Sequence, residues 1–286
     1  MADVERVGVV GAGLMGAGIA EICARAGLDV VVREVDEDAC AAGRKRIETS
    51  LARAVRRGKL TPDESGEASA RISYTTSLAD LAESDLVVEA VAENEAVKVE
   101  VFSELDRVVR KKDAVLASNT SSIPIMKLAM ATSRPDRVLG IHFFNPVPVL
   151  PLVEMVTSLL TSQETVVRAD EFVTKVLGKT VIRSTDRAGF IVNALLVPFL
   201  LSAVRMLESG FASADDIDHG MILGCAHPMG PLQLADLIGL DTIVAIAESM
   251  YDEFKEPLYS PPPLLLRMVD AGLLGRKSGR GFHVYG

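Results

Sequence analysis

The apolar residues of the first two thirds of the chain form short runs separated by stretches with helical spacing. These runs predict strands at residues 6–10, 28–33, 72–74, 85–91, 114–118, 138–144, 149–156 and 180–184. Helical spacing lies between several of the runs, notably over residues 96–110 and 163–177. Strands that alternate with helices predict a doubly wound sheet of the α/β class.

The pattern changes after residue 185, where the sequence Thr-Asp-Arg-Ala-Gly at residues 185–189 predicts a hinge. Helices are predicted over residues 190–207, 214–223, 231–250 and 262–271. The first of them is apolar on nearly every side and should be buried on several faces, and Pro198 in its interior should kink it. We therefore predict a sheet domain over residues 1–186, with a helical insertion at about residues 37–70. An all-helical domain over residues 187–286 should form a homodimer.

A dinucleotide site is indicated where the first strand ends. Residues 11–16 read Gly-Ala-Gly-Leu-Met-Gly, and a stretch with helical spacing follows them. Gly11 permits the tight turn, Gly13 lets the backbone approach a pyrophosphate, and Gly16 allows the helix to pack closely on the strand. The N–H groups at the start of that helix attract phosphate. This sequence in this context predicts a Rossmann-type nucleotide-binding domain.

The acid expected to bind the ribose of the nucleotide lies at the end of the second strand. It is Glu34, 23 residues after Gly11. A carboxylate there repels the 2′-phosphate of NADP, so NAD is favoured. Arg33 precedes it and would bind that phosphate if its side chain turned inward, so NADP remains an alternative.

The sequence His-Phe-Phe-Asn-Pro-Val-Pro at residues 142–148 predicts a bend between two apolar strands. His142 and Glu154 each lie six residues from Pro148. If the two strands pair antiparallel around that bend, the two side chains face each other at about 5 Å between their Cβ atoms. A carboxylate in that place fixes the imidazole tautomer and stabilises its protonated form, as a histidine general base requires. The alternative is a structural histidine bonded to a nearby acid.

Two more groups of polar residues follow strand ends, where ligands of open α/β sheets bind. Glu93 and Lys98 follow the strand at residues 85–91, and Ser121 and Ser122 follow the strand at residues 114–118. Each group also has a structural explanation, because a serine can cap a helix and an acid is favourable in a first helical turn. Asn193 lies among apolar residues of the helical domain, where it either joins two helices or faces a ligand.

Charge and composition exclude several classes of function. The formal net charge of −9 leaves no surplus basic face for nucleic acid. No apolar run reaches the ~20 residues of a membrane span, and no signal or transit pattern precedes the first strand. We therefore expect a cytoplasmic protein that binds neither nucleic acid nor a membrane. The insertion is nevertheless basic, which indicates either a solvated helix face or an anion site, and its basic residues are Arg44, Lys45, Arg46, Arg53, Arg56, Arg57 and Lys59.

Metal binding is not expected. The cysteines have no metal-ligand spacing, and their odd number is typical of a reduced protein of the cytosol: Cys23, Cys40 and Cys225. Cys225 lies two residues before a histidine, but no second pair completes a zinc site. Three further histidines are interpreted as structural or surface residues, because no acid is placed beside them as Glu154 is beside His142: His219, His227 and His283.

Six motifs together with Glu154 resemble those of the L-3-hydroxyacyl-CoA dehydrogenase family, and the resemblance covers essentially the whole chain. The motifs are GAGLMG (11–16), VVEAVAEN (87–94), SNTSS (118–122), HFFNPVP (142–148), GFIVN (189–193) and GRKSGRGF (275–282). The resemblance is strongest to the single-function bacterial 3-hydroxybutyryl-CoA branch. It implies an oxidoreductase of fatty acid or butanoate metabolism, which interconverts a short-chain (S)-3-hydroxyacyl-CoA and a 3-ketoacyl-CoA with NAD(H).

The same resemblance assigns roles to individual residues. It implies that His142 and Glu154 are the catalytic pair and that Ser121 and Asn193 contact the substrate. The residues that it places at the NAD site are Gly11, Gly13, Leu14, Met15, Gly16, Glu34, Ala92, Glu93, Lys98, Asn119, Ser121, Asn145 and Lys277. The residues that it places at coenzyme A are Ser50 and Arg57, joined by Ser121 and Asn193.

The sequence departs from the family pattern at two positions. Ala194 stands where a basic residue is common, and Glu34 stands where an aspartate is common. Neither change removes a group that the chemistry needs, although both could tune cofactor or acyl preference.

Two other functions remain open. A β-hydroxyacid dehydrogenase shares the glycine-rich loop and a helical second domain, but it uses a lysine on a free acid. A non-catalytic NAD(H)-binding protein would keep the fold and turn over no CoA ester. Acyl chain length and the direction of reaction also stay open, because an apolar pocket distinguishes one methylene by only ~1–3 kcal/mol.

Overall fold

The computed structural model describes residues 4–286, which divide into two compact units. The first ends at Arg187 and is built on a sheet, and the second begins at Ala188 and is helical. The predicted fold class is confirmed. Each unit has its own buried apolar core.

Within residues 4–286 the sheet has eight strands. They are β1 (Arg6–Val10), β2 (Asp29–Arg33), β3 (Ile72–Thr75), β4 (Leu86–Glu89), β5 (Val115–Ser118), β6 (Val138–Phe143), β7 (Leu152–Thr157) and β8 (Thr180–Thr185). Their order is β3-β2-β1-β4-β5-β6-β7-β8. All neighbours pair parallel except β6 and β7. Since β1 lies between β2 and β4, the winding reverses beside it, and ligands of such sheets bind beyond that point.

Two strands differ from their predicted bounds by two residues or more at one end. β7 was predicted from residue 149, but the N–H groups of Val149 and Leu150 donate to the carbonyl of Pro146 in a turn, and Pro151 has no N–H to give to a sheet. β4 was predicted to residue 91, but the Val91 N–H donates at 2.7 Å to the carboxylate of Glu89 instead of to a strand. Both predictions were wrong at these ends, because local hydrogen bonds replace the ladder.

Six α-helices accompany the sheet in the described residues of the first unit. They are α1 (Leu14–Arg25), α2 (Glu37–Arg56), α3 (Pro62–Ala70), α4 (Glu95–Val108), α5 (Ile125–Ala129) and α6 (Gln163–Glu171), and a π-helical turn, Phe172–Val176, continues the last. Helices α2 and α3 form the predicted insertion. They are separated where Gly58 takes φ +65° and where Thr61 and Glu64 form a capping box. Both helices pack against α1.

The second unit contains five helices in its described residues: α7 (Val192–Glu208), α8 (Ala214–Cys225), α9 (Pro231–Ile238), α10 (Leu240–Phe254) and α11 (Pro263–Asp270). The sequence predicted one helix over residues 231–250. The structure breaks it at Gly239, whose φ of +104° is outside the helical region. The prediction failed because the apolar spacing continues across the glycine.

Two buried carboxylates hold the last residues of the chain in the second unit. Asp236 accepts from the N–H groups of Phe282 and His283 and from the Tyr285 hydroxyl, each at 2.9 Å. Asp218 lies 2.8 Å from His283 Nε2. The interpretation that no acid faces the other histidines was therefore wrong for His283, because its partner lies 65 residues away in the sequence.

Candidate active site

The predicted site residues of the first unit follow the carboxyl ends of neighbouring strands. The glycine-rich loop follows β1, Glu93 follows β4, Ser121 follows β5, and His142 is the penultimate residue of β6. Because β1, β4, β5 and β6 are mutually parallel, these ends meet along one edge of the sheet.

His142 and Glu154 are directly paired across the antiparallel strands β6 and β7. Nδ1 of His142 lies 2.8 Å from a carboxylate oxygen of Glu154, and the two residues are 4% and 0% exposed. The predicted cross-strand pair is confirmed. Since an ionised carboxylate can only accept, Nδ1 carries the hydrogen, and Nε2 is left as an acceptor in the neutral ring.

Ser121 occupies the other side of the imidazole ring. Its Oγ is 3.1 Å from His142 Nε2, so the hydroxyl donates to that nitrogen in the neutral ring. Glu93 holds the loop that carries it, because its carboxylate accepts from the N–H groups of Ser121 and Ser122 and from the Thr120 hydroxyl. Serine, imidazole and carboxylate thus form one line of contacts.

The alternative structural explanations do not describe these residues. Helix α5 begins after Pro124 without a side-chain cap, so neither Ser121 nor Ser122 is its N-cap. Asp186 accepts instead from its first two N–H groups, at 2.7 Å each. Helix α4 begins at Glu95 and is capped by Asn94, so Glu93 lies outside its first turn. The Glu93 carboxylate accepts from the loop after β5.

Lys98 is buried beneath this loop. Its side chain is 1% exposed, and its ammonium contacts a carboxylate oxygen of Glu89 at 2.6 Å and one of Glu93 at 3.3 Å. The sequence analysis missed Glu89, because the residue reads as the end of an apolar strand. An acid at a strand end, nine residues before a lysine, was the signal that could have found it.

The remaining predicted NAD residues of this edge divide into buried and exposed ones. Asn119 is buried, and its side-chain oxygen accepts from the Phe143 N–H at 2.9 Å, which joins the end of β5 to β6. Ala92 and Asn145 are exposed on the loops after β4 and β6. Asn119 therefore braces the strand that carries His142.

The glycine-rich loop has the geometry that a pyrophosphate requires. Gly11 takes φ +95°, Gly13 faces open space, and a Cβ at Gly16 would lie 1.8 Å from the Gly11 carbonyl oxygen. No side chain caps helix α1 and no acid lies in its first turn, so its first N–H groups face an anion without a competing carboxylate. Leu14 is exposed and Met15 is half-buried at the start of this helix. The residues present fit the cofactor that the sequence predicts.

The side chain of Glu34 contacts this loop, whereas the guanidinium of Arg33 is bonded to Thr76. The Glu34 carboxylate accepts from the N–H groups of Ala12 and Val35. Arg33 Nε donates at 3.3 Å to the carbonyl of Thr76. The Glu34 carboxylate therefore lies beside the loop where the ribose is expected.

A cleft of about 650 Å³ opens between α1, α2 and residues 145–148. Lys45, Arg46 and Arg53 give its wall a basic character, and Ser50 lies beside them. Arg57 ends α2 as its C-cap and is exposed outside the residues that line the cleft. The structure thus places Ser50, but not Arg57, in the cleft.

Glu21 is a buried acid in the wall of the same cleft, and the sequence analysis missed it because it lies within an apolar helix. Burial raises the pKa of this carboxyl group, while a hydrogen bond from Ser50 and the charge of Arg25 lower it. Among the described residues, its Oε2 has no hydrogen-bond partner. The cleft therefore contains one unsatisfied acceptor.

Two predicted site residues belong to the second unit. Asn193 is buried in the first turn of α7. Lys277 is half-exposed in the segment after α11, where its ammonium is paired with both carboxylate oxygens of Asp241.

None of the helices in residues 4–286 is both long enough and apolar enough to cross a membrane. In the same residues, no three side chains of His, Cys, Asp or Glu lie together as metal ligands would.

Comparison with known protein families matches both units. The model described as 3-hydroxyacyl-CoA dehydrogenase, NAD binding domain, matches residues 6–187. The model described as 3-hydroxyacyl-CoA dehydrogenase, C-terminal domain, matches residues 189–285. Together they cover nearly the whole chain.

Individual relatives are similar over their full length. The chain is 62% identical over 282 residues to a 3-hydroxybutyryl-CoA dehydrogenase of Mycobacterium tuberculosis, covering 99% of each chain. The crystal structure of FadB2 from M. tuberculosis superposes with a TM-score of 0.98, at 61% identity and full coverage of both chains. That of (S)-3-hydroxybutyryl-CoA dehydrogenase PaaH1 from Ralstonia eutropha superposes with a TM-score of 0.93, at 48% identity, covering 99% of this chain and 100% of the other. The chain belongs to the 3-hydroxyacyl-CoA dehydrogenase family, as its motifs predicted.

Proposed function

We propose that the protein is an NAD-dependent dehydrogenase that interconverts (S)-3-hydroxybutyryl-CoA and acetoacetyl-CoA. One observation carries this proposal, the line of contacts from Ser121 through His142 to Glu154 at the sheet edge beside the glycine-rich loop. The full-length similarity to 3-hydroxybutyryl-CoA dehydrogenases supports the short acyl chain.

The imidazole of His142 is the group that moves the proton. In the oxidation direction its Nε2 takes the proton of the 3-hydroxyl group, and in reduction it returns that proton to the 3-keto oxygen. Glu154 keeps the hydrogen on Nδ1 and stabilises the imidazolium that forms. Ser121 Oγ lies 3.1 Å from Nε2, beside the place where the reacting oxygen must arrive. Its hydroxyl would turn to donate to that oxygen. Asn193 is proposed to hold a second substrate oxygen.

The glycine-rich loop is proposed to hold NAD. When bound, NAD+ supplies the hydride acceptor. Gly13 and the first N–H groups of α1 would hold its pyrophosphate, and the Glu34 carboxylate would accept from the ribose hydroxyls. Arg33 is engaged with Thr76, which favours NAD over NADP. Lys277 is also proposed to contact this cofactor.

The basic cleft is proposed to hold coenzyme A. Lys45, Arg46 and Arg53 supply positive charge in a chain whose net charge is −9, and phosphate groups are the anions that such clusters bind. Ser50 would hydrogen-bond to the same ligand. Arg57 would approach it only from the rim.

We also propose that the protein is a cytoplasmic homodimer that associates through its second unit. Large apolar side chains are exposed there at Leu195, Phe211 and Leu223, and exposed apolar patches mark interaction surfaces. All three cysteines are free thiols, as is usual in a reducing compartment. Light scattering of the purified protein should give twice the mass of the chain.

One assay tests the reaction and separates the alternatives. We expect NADH oxidation with acetoacetyl-CoA, much slower oxidation of NADPH, and none with free acetoacetate. Replacing His142 with glutamine should lower kcat by orders of magnitude while NADH still binds, whereas the exposed His219→Gln serves as the matched control. Turnover of the free acid would favour the β-hydroxyacid type. Near-normal activity of His142→Gln would contradict the role of the imidazole.

A further inference from the structure

The ammonium of Lys98 makes three close contacts, two of which are hydrogen bonds and one an ion pair. They are a carboxylate oxygen of Glu89 at 2.6 Å, a carboxylate oxygen of Glu93 at 3.3 Å and the carbonyl oxygen of Val91 at 3.4 Å. The side chain is 1% exposed. Lys98 therefore has almost no exposed surface with which to reach a ligand, although the sequence placed it in the NAD site.

Glu89, the partner of Lys98, joins the ends of two strands. It is fully buried. One carboxylate oxygen accepts from the Val91 N–H and from Lys98, and the other accepts from the Ser118 hydroxyl at 2.6 Å. The Ser118 oxygen in turn accepts from the Thr120 N–H at 3.1 Å. The ends of β4 and β5 are thus fixed to one buried charge.

Glu93 transmits the position of Lys98 to the reacting groups. One of its carboxylate oxygens faces the ammonium, and the other accepts from the Ser121 N–H at 2.9 Å. The hydroxyl of that serine lies 3.1 Å from His142 Nε2. Without the ammonium, the two carboxylates of Glu89 and Glu93 would repel each other, and the loop bonded to Glu93 would shift.

We propose that Glu89 and Lys98 are positioning residues, which act on catalysis through Glu93 and Ser121 and not by contact with the cofactor. This inference rests on the proposed function, because it concerns the alignment of Ser121 with His142 in that reaction. Displacements of about 1 Å in an active site can cost about 100-fold in rate, so the effect should be seen in kcat.

The first test is Lys98→Met, which keeps the length of the side chain and removes its charge. We expect kcat for acetoacetyl-CoA reduction to fall about 10- to 100-fold, while the dissociation constant of NADH, measured by fluorescence, changes less than about 3-fold. The matched control is Lys127→Met, which removes the exposed pair of Lys127 with Glu95 and should leave both quantities unchanged. A large rise in the NADH dissociation constant with kcat preserved would overturn the proposal in favour of a direct cofactor contact.

A double-variant cycle distinguishes positioning from general destabilisation. If Lys98 acts through Ser121, then Lys98→Met should lower kcat by less than about 3-fold in a protein that already carries Ser121→Ala. If the role of Lys98 is purely structural, the fold losses in kcat of the two substitutions should multiply in the double variant. That result would overturn the proposal. Amide exchange at Ser121 and Ser122 should also become faster in Lys98→Met.

A second variant guards against misfolding, because Lys98→Met leaves two acids near each other. The neutral pair Glu89→Gln with Lys98→Met keeps hydrogen-bonding groups beside Ser118 and Val91 and removes one of the acids. We expect it to melt close to the wild-type temperature and to show the same loss of kcat. Wild-type kcat in this folded variant would overturn the inference and leave the proposed function intact, whereas absence of wild-type turnover would overturn both.

Discussion

Replacing Glu154 with glutamine removes the negative charge beside His142 and keeps the size of the side chain. Two unit charges about 4 Å apart interact by about 4 kcal/mol at an effective dielectric constant of about 20. Glu154 is fully buried, so water does not replace the lost charge. The amide oxygen still accepts from Nδ1, which retains about 1 kcal/mol. We therefore expect the barrier to proton transfer to rise by about 3 kcal/mol, which lowers kcat roughly 100-fold.

The measurement is kcat and KM for NADH oxidation with acetoacetyl-CoA. KM should change little, because the loss arises when the imidazolium forms and not when the substrate binds. The matched control is Glu171→Gln, which neutralises a half-exposed acid paired with Lys175. Thermal melting should be similar for both variants, since glutamine preserves the packing of β7.

Two results would refute the reasoning. If Glu154→Gln keeps kcat within about 3-fold of the wild type, the charge of Glu154 does not stabilise the imidazolium. If kcat is unchanged and KM rises instead, Glu154 acts on substrate binding. Either result would return the pair of His142 and Glu154 to a structural role.

Three further predictions concern other acids. Glu34→Ala should lower kcat/KM for NADH by about 10-fold, because a charged hydrogen bond contributes about 1.5–3 kcal/mol, and should lower kcat/KM for NADPH less. An unchanged ratio of the two kcat/KM values would contradict the assignment of Glu34 to the ribose. Because burial raises the folded-state pKa of Glu21, the folded protein holds a proton that the unfolded chain loses, and stability falls as the pH rises through that window. Glu21→Gln should therefore raise the free energy of unfolding by about 1 kcal/mol at pH ~8 and hardly at pH ~4, as measured by urea denaturation. An equal gain at both pH values would show that titration of Glu21 is not the cause. Asp236→Asn should lower the free energy of unfolding by about 2 kcal/mol and make amide exchange at Phe282 faster. Unchanged exchange at Phe282 would show that other contacts hold the last residues of the chain.

The sequence predicted the features that depend on local spacing. The strands of the sheet follow from short apolar runs, and the pairing of His142 with Glu154 follows from their equal distance from Pro148, since a bend between two strands fixes their register. The glycine-rich loop was predicted because each of its glycines meets a steric requirement, and because a strand precedes the loop and a helical pattern follows it. Each of these signals spans no more than about 25 residues of the sequence.

The failures arise where distant residues decide the outcome. The pair of His283 with Asp218 joins residues 65 apart, and no spacing rule connects them. The break between α9 and α10 depends on a positive φ at Gly239, which an apolar pattern does not report. Lys98 was placed at the NAD site by its position after β4 and by the resemblance, and neither signal reports its burial against Glu89.

The acids of the sheet edge look alike in the sequence, and their hydrogen-bond donors separate them. Glu89 and Glu93 accept from hydroxyls, backbone N–H groups and a lysine, none of which changes its protonation in the proposed reaction. Glu154 faces a ring that gains and loses a proton in each turnover. Glu89 and Glu93 therefore stabilise one arrangement of the loop, whereas Glu154 stabilises one protonation state of the His142 ring. Only Glu154 is therefore placed to act directly on the proton transfer of His142.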